Sequence, residues 1–154
     1  MAYNNEKEFE KHLRRDIITP LLDGHNEYYL LESKKAVDIL ICKNGMNPAL
    51  FFIEVKYHRH KHGRLGFGHA EGGGFQPELL IMNPSYFQSN MRWILGVEDK
   101  EGYLFMTNDE IIQSVSSGKV EKKYNNIQTK IFNEQRLLTS SELKSEISNW
   151  LGIR

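Results

Sequence analysis

The chain has 154 residues, of which 40% are apolar and 26% charged, and its formal net charge is zero at neutral pH. This suits a single domain, 1–154, with a core of its own, and it is the composition of an ordinary globular protein. It excludes an internal disulfide and a thiolate zinc cluster, because Cys42 is the only cysteine.

No apolar run approaches the ~18 residues needed to span a bilayer. The polar, acidic residues 1–6 do not read as a signal peptide, so the expectation is a cytoplasmic protein with no membrane contact. Zero net charge counts mildly against nucleic-acid binding, but what matters is where the charge sits. Here it is clustered, at Lys34-Lys35 and from Lys56 to Arg64.

In chain order, Phe9, Leu13, Ile17 and Ile18 recur at helical spacing and predict an amphipathic helix over 5–19. Asn4 or Asn5 is its expected cap and Pro20 its expected end. Three strand-like runs follow, at 27–31, 36–42 and 49–57, and residues 43–48 read as a hairpin loop between the last two. Residues 59–74 are rich in glycine and histidine and read as a loop. A short or broken helix is expected over 76–90, which contains Pro77 and Pro84. Strands are expected at 91–97 and 102–106, and a short helix at 108–115 capped by Asn108. Residues 119–138 carry no clear pattern. A C-terminal helix is expected over 140–151, with Leu143, Ile147, Trp150 and Leu151 on one face. The order predicts a mixed α/β or α+β domain around a central sheet.

Charges inside apolar strands need an explanation, because Asp, Glu and Lys are seldom buried without a partner or a task. Glu54 and Lys56 lie two apart in Ile53-Glu54-Val55-Lys56 and so share one face. Asp38 interrupts the preceding run. A hairpin centred on Met46 sets Asp38 opposite Glu54, with Cβ atoms ~5 Å apart. Two carboxylates that close repel, and one pKa rises. A divalent cation between them removes the conflict, and Mg²⁺, for which Mn²⁺ substitutes, favours a few carboxylates with waters and a phosphate. The chemistry this predicts is phosphodiester hydrolysis: the cation polarises the phosphate and activates water. Lys56 assists the water or stabilises the developing charge.

Asp38 followed by Glu54-Val55-Lys56 after a hairpin resembles the PD-(D/E)xK superfamily of restriction-endonuclease-like nucleases. The resemblance covers roughly residues 5–106, although Val37 stands where many members have proline. It implies a restriction-endonuclease-like αβββαβ core, a central mixed sheet flanked by helices, with Asp38, Glu54 and Lys56 on the second and third strands. It also implies a glutamate on the first helix, for which Glu10 is preferred over Glu6. The expected activity is that of a Mg²⁺-dependent endonuclease on DNA, a type II restriction endonuclease acting as a homodimer. The alternatives are a Holliday-junction resolvase or repair nuclease of the same superfamily, and a non-catalytic DNA-binding module.

Lys35, His58, Arg59, His60, Lys61 and Arg64 are expected to contact DNA phosphates. Gln76, after Gly72-Gly73-Gly74-Phe75, is a candidate for a base edge or a phosphate. Tyr86, Phe87, Trp93, Tyr103 and Phe105 read as core, Trp150 as core or a dimer contact, and Cys42 as a small buried residue.

Overall fold

The computed structural model describes residues 2–31, 38–62, 65–66, 89–114 and 126–154. Most of the helix expected at 76–90 lies outside them, as do Tyr86 and Phe87. The chain is a mixed α/β domain. Its elements are α1 (Glu6–His12), a π-helical segment (Leu13–Ile18), α2 (Thr19–Leu22), β1 (Tyr28–Leu31), β2 (Ile39–Lys43), β3 (Ala49–His58) and a 3₁₀ turn (His60–His62). Then come β4 (Leu65–Gly66), β5 (Met91–Val97), β6 (Leu104–Met106), α3 (Asn108–Gln113), β7 (Asn126–Ile127), α4 (Ile131–Glu134) and α5 (Ser140–Leu151).

Five strands form the main sheet in the order β1-β2-β3-β5-β6, and β4 pairs with β7 in a second, small sheet. β2 runs antiparallel to both β1 and β3, β5 runs parallel to β3, and β6 returns antiparallel to β5. A parallel pair needs a crossover connection, and residues 59–90 span it.

Alternation along the strands divides the core between the two faces of the sheet. Phe51, Ile53, Val55 and Tyr57 of β3 bury one face against Phe9, Leu13 and Ile17 of the first helix and Leu143, Ile147 and Leu151 of α5. Met91, Trp93, Leu95 and Val97 of β5 bury the other against Ile111, Ile131 and Phe132. Trp93 is fully buried, and its indole N–H donates to Asn108 Oδ1 at 2.7 Å. Among the described residues no helix is long and apolar enough to cross a membrane.

Several ends differ from expectation for local reasons. Asn5 caps α1 by accepting from the Glu8 N–H at 2.9 Å. Pro20 does not end the helix. The π-helical turn lets the Thr19 N–H donate to Arg14 O, and Pro20 falls in the first turn of α2. There its missing N–H costs little. Thr107, not Asn108, caps α3, and Thr139 caps α5; each forms a capping box with the glutamate three residues on. Cys42 is half-buried rather than buried. Trp150 is also half-buried, packed edge-on against Phe51 with ring centroids 5.2 Å apart.

The turn between β5 and β6 requires glycine at one point. Gly102 has φ +115°, and a Cβ there would lie 2.7 Å from Leu137 Cβ and 2.9 Å from Leu138 O. Gly24 also has positive φ (+80°) but faces open space. Gly102→Ala is therefore expected to cost about 3 kcal/mol or more, and Gly24→Ala only about 1 kcal/mol. Urea unfolding of the two variants checks this; equal losses would contradict the close packing at Leu137.

Candidate active site

The site begins where β2 stops accompanying β3. The last β2–β3 pair is Ile39↔Ile53, yet β3 continues to His58. Even-numbered residues of β3 turn their backbone groups to the β5 side: Phe52 N–H donates to Asn90 O at 2.8 Å, and Glu98 N–H donates to His58 O at 3.1 Å. Odd-numbered residues therefore face the side that β2 has left. Carboxylates take those donors. Val55 N–H donates to Asp38 Oδ2 at 2.8 Å, and Tyr57 N–H donates to Glu6 Oε2 at 3.3 Å. Two acidic side chains thus stand where strand carbonyls would otherwise be.

Asp38 lies one residue before Ile39 and Glu54 one after Ile53, so the observed register sets them opposite each other, as a loop centred on Met46 predicts. Asp38 itself is just outside β2, whereas the sequence suggested a strand over 36–42. Its side chain bonds the neighbouring strand in place of its backbone. Glu54 and Lys56 project together from β3, with Lys56 Nζ 3.6 Å from Glu54 Oε1 and the side chains only 9% (Lys56) and 5% (Glu54) exposed.

Burial dominates the electrostatics. It pushes the Glu54 carboxyl up to about 8, helped by the charge of Asp38 and opposed by Lys56. Burial also raises Asp38, against the Val55 N–H bond and the positive charge of Lys56. The neighbouring Arg14 guanidinium also opposes the rise at Asp38. Glu6 is raised by burial too, with Lys56 opposing. Near neutral pH the Glu54 carboxyl beside Lys56 is therefore largely protonated.

Two facing carboxyls whose ionised forms burial disfavours are a fit for a divalent cation, which removes their repulsion. The donors are all hard oxygens, the type that suits Mg²⁺ or Mn²⁺. Among the described residues no group of three His, Cys, Asp or Glu side chains is already arranged to hold a metal ion. Mg²⁺ commonly takes one or two carboxylates and keeps several waters, so the Asp38–Glu54 pair meets its protein requirement.

The other predicted residues divide. Glu6, not Glu10, reaches β3; Glu10 instead accepts from Arg14 Nε at 3.0 Å. Both glutamates bear the same spacing to the buried helical stripe, and only the contact between Phe9 and Tyr57, at 5.1 Å between ring centroids, decides which lies over the strand. His58 belongs to β3, is buried, and stacks on Phe132 with centroids 6.4 Å apart and planes 8° apart. It is therefore not the first residue of an exposed phosphate-binding loop.

Arg59 Nε lies 3.8 Å from Glu98 Oε2, and Arg59 Nη1 also donates to Asn4 O. His60 Nε2 lies 3.0 Å from Asp99 Oδ2, and its backbone N–H donates to Glu98 Oε1 at 2.7 Å. Their charge is thus partly offset by the turn that follows β5. Lys61 is exposed. Lys35, Arg64 and Gln76 lie outside the described residues.

Compared with protein-family models and with curated protein sequences, the chain matches none of them.

The Glu54 shift has a consequence for stability. Its pKa of about 8 in the folded chain lies above the ordinary 4.5. The native state therefore binds more protons than the unfolded state between those values, and stability falls as pH rises through that window. At about 1.4 kcal/mol per pKa unit the fall amounts to a few kcal/mol. Urea unfolding in EDTA, at intervals from about pH 5 to about pH 8, is expected to show this decline in the wild type. Glu54→Gln should flatten it and be the more stable protein at the alkaline end. Parallel profiles for the two would contradict the buried carboxyl pair.

Proposed function

We propose that the protein is a divalent-metal-dependent endonuclease that hydrolyses DNA phosphodiester bonds, with Asp38, Glu54 and Lys56 as its reactive centre. The observation that carries this reading is the facing of half-buried Asp38 and buried Glu54, with buried Lys56 beside them, at the fork between β2 and β3. Drawing two acids and a lysine out of water at one spot costs stability, and such groups cluster where they serve a charged ligand. A phosphodiester with a bound cation supplies complementary charges for all three.

On this reading Asp38 and Glu54 hold Mg²⁺ or Mn²⁺, with Glu6 adjoining, and the cation when bound polarises the phosphate and lowers the pKa of water. Asp38 is kept in place by the Val55 N–H. Lys56, on the same face of β3 as Glu54, directs its ammonium at the charge that grows on the phosphate during displacement. Its buried stem and neighbouring carboxyl limit its rotation, so little reorganisation is needed when the charge develops.

The strand order supports the same reading. A helix, three strands each antiparallel to the next and a fourth strand parallel to the third are compatible with a restriction-endonuclease-like αβββαβ core. Within that superfamily we favour a type II restriction endonuclease. A single domain with one such centre suits a homodimer, in which each copy cuts one strand of a duplex. Lys61, and with it Lys35, Arg64 and Gln76, are the proposed contacts to DNA.

The test is cleavage of a supercoiled plasmid and a long linear duplex in Mg²⁺ and in EDTA. Discrete fragments are expected in Mg²⁺ and none in EDTA. Asp38→Ala and Lys56→Ala should each lower the rate about a hundredfold or more. Cleavage restricted to a four-way junction would move the assignment to a resolvase. Undiminished cleavage by both variants, or no cleavage of any of the three substrates, would overturn the proposal.

A further inference from the structure

The π-helical turn Leu13–Ile18 contains Arg14. Such widened turns change the phase of a helix and often occur where a side chain has to be aimed at a functional group. Arg14 meets Asp38 there: its Nη2 donates to the Asp38 backbone carbonyl. The same guanidinium donates through Nε to Glu10 Oε1 at 3.0 Å, and the Arg14 side chain is only 20% exposed. A planar fork serves two partners at once in a way that a lysine ammonium does not.

Asp38 needs such a hold. It lies beyond the last β1–β2 pair, Leu31↔Leu40, and beyond the last β2–β3 pair, Ile39↔Ile53. No ladder bond among the described residues fixes its backbone. Val55 N–H anchors its carboxylate, and Arg14 anchors its carbonyl. With only the first of these, the residue would pivot about Ile39 and its carboxylate would wander relative to Glu54.

We infer that Arg14, braced by Glu10, is a positioning residue that fixes Asp38 against Glu54 for the cation and the phosphodiester chemistry. This rests on the nuclease reading above. It also gives Glu10 a role that differs from the one its sequence position suggested: it orients the arginine that holds Asp38. Position matters because displacements of about 1 Å at a reacting centre cost on the order of a hundredfold in rate.

The experiment compares wild type with Arg14→Ala, Arg14→Lys, Glu10→Gln and the control Arg15→Ala. Arg15 pairs with Asp16, away from Asp38. Mn²⁺ affinity is read from the electron paramagnetic resonance signal of the free ion, and kcat and KM from Mg²⁺-dependent plasmid cleavage. Arg14→Ala should weaken Mn²⁺ binding about tenfold and lower kcat at least as much, with KM for DNA near that of the wild type. Arg14→Lys should change in the same direction, because an ammonium cannot reach both partners. Glu10→Gln should show a smaller loss, and Arg15→Ala none.

Full recovery in Arg14→Lys would overturn the inference, since charge alone would then suffice. A raised KM with unchanged Mn²⁺ affinity would overturn it in favour of a direct phosphate contact. Lower urea stability with unchanged affinity and kcat would reduce Arg14 to a packing role. If Arg14→Ala does not fold, Arg14→Lys and Glu10→Gln carry the test. A wild type that neither binds Mn²⁺ nor cuts DNA would instead sink the nuclease reading, and this inference with it.

Discussion

The two backbone N–H groups that β3 presents after β2 turns away organise the structure around them. A buried N–H without an acceptor costs about 1–3 kcal/mol, so the divergence of two central strands needs substitutes for the lost carbonyls. The chain uses the carboxylates of Asp38 and Glu6, from the residue before β2 and the first turn of α1. That solution draws negative charge into a largely apolar sheet beside Glu54, and the charge must then be neutralised. Lys56 and a proton on Glu54 accomplish this in the chain alone. A divalent cation would do so more fully, and the same arrangement would be ready for a phosphate.

The scaffold holds this fork open and in register. Phe9, Leu13 and Ile17 pack the first helix on the odd-numbered face of β3, which brings Glu6 over Tyr57. The π-helical turn carries the helix past Pro20 and sets Arg14 against Asp38. On the far side α5 closes the same core, and its last turn is tied to the sheet where Tyr28 Oη donates to Leu151 O at 2.7 Å. The opposite face is filled by Trp93 with its partner Asn108, and β5 pairs with β3 along the stretch that carries Glu54 and Lys56.

Much of this was legible in the sequence because the signals are periodic. The stripe of Phe9, Leu13, Ile17 and Ile18, the apolar runs of β3 and β5, and the 140–151 helix all lie where their spacing predicts. The facing of Asp38 and Glu54 followed from loop length alone. What was not legible depends on departures from regular geometry. A π-helical turn has no simple sequence signature, so Pro20 read as a stop. Glu6 and Glu10 bear equivalent spacings to the apolar stripe, and only the way the helix docks on Tyr57 separates them. His58 read as part of a basic loop because its neighbours are basic, yet the strand extends one residue further and buries it against Phe132.

On the nuclease reading the fork between β2 and β3 is a cation site built on Asp38 and Glu54. Anomalous diffraction from crystals grown with Mn²⁺ tests it most directly. A peak is expected between the two carboxylates, at about 2.0–2.2 Å from their nearest oxygens. Crystals that take up no Mn²⁺ there, or that bind the ion only elsewhere, would rule out a cation site at the fork.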